Sequence, residues 1–111
     1  MGTRAVDAVF AALGDPSRRG LLQRIAERGA ATATELAAEL PITRQAVTKH
    51  LAALVRAGLL RGERRGRETR YELTPDPLTD AIDWMESVGA AWDERLDALR
   101  AHLERREASR P

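Results

Sequence analysis

Apolar residues recur at three- and four-residue intervals over most of this chain, and between residues 59 and 74 they alternate instead. Val6, Val9, Phe10 and Leu13 form one stripe and predict a helix over 3–13, ended by Gly14. Asp15-Pro16 restarts the chain as a helix. The carboxylate can accept from a free first-turn N–H, and proline at the first helical position gives up no hydrogen bond. This second helix, 16–28, buries Leu21, Leu22 and Ile25 and stops at Gly29. Thr32-Ala33-Thr34-Glu35 has the spacing of a capping box and opens a short helix over 33–39, held by Leu36 and Leu40.

Pro41 breaks the chain, and Thr43 caps a fourth helix over 44–57. Its buried stripe is Val47, Leu51, Leu54 and Val55, with Ala46 beside it, and Ile42 precedes the cap as a hydrophobic staple for Val47. Gly58 and Leu59 suit a Schellman ending in which Leu59 folds back on Leu54. The stretch LLRGERRGRETRYELT then reads as two strands around a tip near Arg65-Gly66, with Tyr71 and Leu73 on one face and Arg70 and Glu72 on the other. Thr74-Pro75 closes the hairpin. Asp76-Pro77 repeats the cap-and-proline device at the head of a long helix over 77–106. The expected fold class is mainly α with a small β-hairpin wing: a winged helix-turn-helix of about five helices and two antiparallel strands, in one domain, 1–111.

Composition narrows the function classes. The chain has no cysteine, which removes disulfides, thiolate metal sites and thiol redox chemistry. Apolar residues make up 43% and charged residues 32%, with no run approaching the 18 apolar residues of a membrane span. The first ten residues, MGTRAVDAVF, lack the apolar block of a secretory signal, so the expected compartment is the cytoplasm. The net charge of +1 conceals an uneven distribution. Residues 44–70 carry eight basic side chains against two acidic ones, and residues 71–111 carry five against ten.

That basic middle coincides with the fourth helix and the hairpin. A turn of about four residues, Leu40 to Thr43, makes helices three and four cross steeply and exposes the start of the second. Arg44, Gln45, Thr48, Lys49 and Ala52 point outward there, opposite the apolar stripe, with no acid among them. A rigid helix with such donors meets the requirements for reading base edges in a major groove, where Arg or Lys suits guanine and Gln suits adenine. In the hairpin, Arg61, Arg64, Arg65, Arg67 and Arg70 fall within ten residues around a glycine. Such a cationic finger fits the minor groove or the flanking phosphates, although a charged edge also resists strand-to-strand aggregation. The last helix carries Leu78, Ile82, Met85, Trp92, Leu96, Leu99 and Leu103 in a four-three spacing interrupted by Gly89. This seam is longer than so small a domain covers by itself. It suits pairing with helix one, through Val6 and Phe10, and with the same helices of a second subunit. Trp84 fits either a core anchor or a subunit contact.

On ALGDPSRRGLLQRI, TATELAAELPITRQAVTKHLAALVRAGLL and GRETRYELT, in this order and spacing, residues 8–74 resemble the arsenic-repressor (ArsR) family of winged helix-turn-helix regulators. The resemblance implies a homodimeric transcriptional repressor that binds double-stranded DNA with helix four in the major groove. By that match Thr43, Arg44, Gln45, Thr48, Lys49 and His50 face DNA, and Arg64, Arg65, Arg67 and Arg70 form the wing. Pro41 departs from the glycine that the family often has there, which stiffens the turn. Many members bind soft metals through a Cys-x-Cys on the third helix, but the matching positions are Thr32 and Thr34. Others use paired histidines on the last helix, where His102 stands alone. No metal, cofactor or catalytic set is expected, and the C-terminal WDERLDALRAHLERR resembles members without a metal site. Two alternatives stay open at this point: docking of an acidic protein on the basic face, and DNA binding without a preferred sequence.

Overall fold

Among residues 3–108, which the computed structural model describes, there are five α-helices and one antiparallel sheet. The chain divides after Ala81 into two compact units. The first contains α1 (Thr3–Leu13), α2 (Pro16–Arg28), β1 (Ala31–Thr32), α3 (Ala33–Glu39), α4 (Arg44–Arg56), β2 (Leu60–Arg65), β3 (Glu68–Leu73) and the first turns of α5 (Asp76–Ala108). The remainder of α5 belongs to the second unit.

The helix boundaries follow from local hydrogen bonds. Asp15 Oδ1 accepts from the N–H groups of Ser17 (2.7 Å) and Arg18 (3.2 Å), satisfying two of the free donors at the start of α2. Partial desolvation pushes its carboxyl upward. That push is outweighed by the two N–H bonds and by the His50 and Arg18 side chains, so Asp15 titrates below its ordinary value. The end of α1 is satisfied from the next helix: Arg18 Nε donates to the Ala12 carbonyl at 2.6 Å and Arg19 Nη1 to that of Leu13 at 2.6 Å. At α3 both halves of the capping box form. Glu35 N–H donates to Thr32 Oγ1 at 3.2 Å, and Thr32 N–H to Glu35 Oε1 at 3.0 Å. The long helix begins one residue earlier than its sequence signals indicate, because the Pro75 carbonyl takes the first bond, from Thr79 N–H at 3.0 Å. Asp76 therefore lies inside the first turn, near the positive end of the helix dipole.

The core of the first unit is built from every element around it. Val9, Leu21, Ile25, Leu36, Val47, Leu51, Leu54 and Leu59 are fully buried. Val55 departs from the expected stripe and stays exposed, at 39%. It lies past the end of the Val47–Leu51–Leu54 row, and Leu59 and Leu60 fill the core in its place. They can do so because Gly58, at φ +79°, reverses the chain. Its N–H bonds the Val55 carbonyl at 2.9 Å, and Leu59 N–H bonds that of Leu54 at 3.0 Å, which is the Schellman pattern.

The sheet has three strands, in the order β1-β3-β2, where the sequence reading expects two. Ala31 pairs with Tyr71 and Thr32 with Arg70. Two residues carry no period of their own, and their partner lies some forty positions downstream, so this strand is set by tertiary pairing. The hairpin runs in register from Leu60↔Leu73 to Arg65↔Glu68, leaving Gly66-Arg67 as the tip. Gly66 takes φ +63° and Arg67 does not, the arrangement of a two-residue turn with glycine first. Thr74 N–H donates to the Leu59 carbonyl at 2.8 Å and closes the base.

Candidate nucleic-acid interface

The packing that buries Val47, Leu51 and Leu54 turns the opposite side of α4 to solvent. Thr43, Arg44, Gln45, Thr48 and Lys49 are exposed together at its first two turns, as the sequence indicates. Thr43 Oγ1 accepts from Ala46 N–H at 3.1 Å and so holds the first turn, while Thr48 Oγ1 donates to the Arg44 carbonyl at 3.0 Å. His50 is only half-buried, and its imidazole acts on Asp15, the cap of α2. No acidic residue occurs anywhere in α4.

On the wing the arginines divide into two groups. Arg61 is paired with Glu72 across the strands, and Arg65 lies 3.6 Å from Glu63. Arg64 Nε donates to the Gly66 carbonyl at 3.2 Å. Arg70 Nη2 lies 3.7 Å from Glu35 Oε1, which ties β3 to the first turn of α3. The same Glu35 carboxylate is 2.7 Å from Arg28 Nη2, and Arg28 also pairs with Glu39. Bonds from the Thr32 backbone and hydroxyl, together with Arg28 and Arg70, hold Glu35 below the usual glutamate range. Alone among the wing arginines, Arg67 makes no side-chain hydrogen bond or ion pair among the described residues, and the side chains of Arg44 and Lys49 on α4 make none either. Sequence reasoning assigns Glu35 only its capping role. Its second role, as anchor of the wing base, depends on the β1–β3 pairing and left no local signal.

Of the eight side chains expected at a subunit contact, five stand exposed on α5: Ile82, Met85, Trp92, Leu96 and Leu99, from 48% at Ile82 to 57% at Trp92. Val6 is buried within its own subunit, and Phe10 and Leu78 are half-buried against the core of the first unit. Arg95 covers part of Trp92, its guanidinium 5.6 Å from the ring centroid. Among the described residues no three His, Cys, Asp or Glu side chains converge as metal ligands, and no helix is long and apolar enough to cross a membrane.

Comparison with known proteins decides what this surface belongs to. A family model described as a helix-turn-helix domain matches residues 13–63. The HTH-type transcriptional regulator YuzN of Bacillus subtilis is 39% identical over 87 residues, 72% of this chain and 95% of its own length. The transcriptional repressor SdpR of the same organism is 34% identical over 77 residues, 69% of this chain and 84% of its own. A solved ArsR-like transcriptional regulator from Rhodococcus sp. RHA1 superposes with a TM-score of 0.78 at 39% identity, covering 88% of this chain and 92% of the other. The chain belongs to the ArsR family of winged helix-turn-helix regulators. As an ArsR-family protein it is a DNA-binding transcriptional regulator, and the β2–β3 hairpin is the wing of its fold. At the start of α3 Thr32 is engaged in the cap, and Thr34 stands exposed in the first turn.

Proposed function

We infer that this ArsR-family regulator acts as a homodimeric repressor in the cytoplasm, binding an inverted-repeat operator with half-sites about one helical turn apart. The observation that carries the reading is the outward face of α4. Arg44, Gln45 and Lys49 present donors, and Thr48 an acceptor oxygen, without a single acid, on a helix held by a capped first turn and a buried stripe. In this reading Thr43, Arg44, Gln45, Thr48, Lys49 and His50 lie along the major groove, and Arg64, Arg65, Arg67 and Arg70 lie along the backbone or minor groove. The exposed seam Ile82, Met85, Trp92, Leu96 and Leu99 supports pairing of two subunits. Docking of an acidic protein makes little use of Gln45 and Thr48, whose value is hydrogen-bond geometry rather than charge.

The test is fluorescence anisotropy of the full chain with a labelled duplex from upstream of its own gene, against a shuffled duplex of equal composition, with salt titrated in both. Salt-sensitive binding that favours the native duplex by on the order of a hundredfold supports the reading. Equal affinity for both replaces it with sequence-tolerant binding, and binding to neither moves protein docking to first place.

A further inference from the structure

A groove opens where the wing meets α4. Thr34 of α3, Arg44 and Thr48 of α4, and Arg67, Glu68 and Thr69 around the wing tip line it. Its volume is about 130 Å³, well below the roughly 300 Å³ at which small-molecule pockets begin. The space suits one compact group rather than an organic effector.

The charges around it are selective. Arg61, Arg65 and Arg70 are each engaged by a glutamate, and Arg64 by a main-chain carbonyl. Arg44 and Arg67 have no such partner among the described residues, and both line this groove. Two guanidiniums bordering one small space repel each other unless an anion lies between them. The hydroxyls of Thr34 and Thr69 make no hydrogen bond among the described residues and are available as donors, whereas that of Thr48 is engaged by the Arg44 carbonyl.

We propose that this groove seats a single phosphodiester of duplex DNA, held jointly by Arg44 and Arg67, with Thr34 and Thr69 as further donors. The proposal rests on the DNA-binding reading above and adds that recognition helix and wing share one phosphate. A shared phosphate sets the position of α4 along the groove, so that Gln45 and Lys49 arrive at base edges in one register. Glu68 opposes the anion from the same groove and restrains affinity for DNA of any sequence. Glu68→Gln is therefore expected to tighten binding to native and shuffled duplexes alike, by a few-fold.

The experiment uses the full chain and duplexes from upstream of its own gene in which one backbone phosphate at a time is replaced by neutral methylphosphonate. Anisotropy is measured for the native protein, Arg44→Ala and Arg67→Ala, with circular dichroism to establish that both variants fold. The expected result is one position per half-site where neutralisation weakens native binding on the order of tenfold. Both variants lose their sensitivity at that same position. Loss of sensitivity at two different positions, or at none, overturns the shared seat and leaves DNA binding intact. Failure of the native protein to bind any duplex, shuffled ones included, overturns the DNA-binding reading and the phosphate seat with it.

Discussion

Arg70 on β3 and Glu35 on α3 meet at 3.7 Å, and through them the wing is fastened to the helix that precedes α4. Both are partly exposed, so the pair adds little stability in itself. Its effect is geometric. Thr32, which caps α3 with the help of Glu35, is also the residue that pairs with Arg70 in the sheet, so cap, strand and ion pair hold one another in place.

Acid should loosen this joint. The Glu35 carboxyl is held below its ordinary value, foremost by the Thr32 bonds, so its ionised form favours the folded state. That contribution is fully present above the unfolded-state value and is lost as pH falls through the lower, folded one. Asp15 acts with the same sign. Urea midpoints measured from neutral pH down to about pH 3.5 should fall for the native chain and fall less steeply for Glu35→Gln. Parallel curves for the two proteins would remove Glu35 from the account.

Thr43→Ala should destabilise the fold by about 1 kcal/mol, because the Ala46 N–H loses its acceptor. Thr43→Ser should restore most of the loss. Urea denaturation of the three proteins decides, and an unchanged midpoint for the alanine variant would mean that solvent replaces the cap at no cost.

Gly58→Ala should cost about 1–2 kcal/mol. The penalty is conformational rather than steric, since an added Cβ would meet only Pro77 Cγ at an ordinary 3.5 Å while φ stays at +79°. The loss should appear in thermal unfolding, and Gly58→Asn, which tolerates the left-handed region better, should lose less.

The two halves of the interface should fail differently. Gln45→Ala should relax base preference while leaving the salt dependence alone, whereas Arg67→Ala should weaken every duplex and lower the salt slope by about one. Arg65→Ala should weaken binding less than Arg67→Ala, because Glu63 already competes for its guanidinium. Anisotropy over a salt series on native and shuffled duplexes separates these outcomes, and an Arg67 variant with the native slope would take the wing off the DNA.

Leu96→Asp should convert a dimer to a monomer in analytical ultracentrifugation, since Leu96 is apolar, half-exposed and central in the α5 seam. Val6→Asp should instead unfold the chain, because Val6 is buried inside the subunit. A native chain that sediments as a monomer would refute the pairing.

What the amino-acid order determined by itself is whatever depends on neighbours within a turn or two. Asp15-Pro16, Thr32 with Glu35, Thr43 and Gly58 act through hydrogen bonds spanning two to five residues, and all appear where their types and spacing place them. The exposed donor face of α4 was legible for a similar reason, since a helical period that buries Val47, Leu51 and Leu54 leaves Arg44, Gln45 and Thr48 nowhere else to point. The tertiary structure alone decided which charges are free. Arg61, Arg64, Arg65, Arg67 and Arg70 are equivalent in composition, yet strand register places Glu72 against Arg61, and the β1–β3 pairing carries Arg70 to Glu35, while Arg67 at the tip meets neither. It also left Val55 outside the core, whereas Leu59 folds back on Leu54 as its Schellman spacing indicates. Long-range pairing costs loop-closure entropy that no local pattern encodes, so the third strand and the joint at Glu35 appear only once the chain is folded.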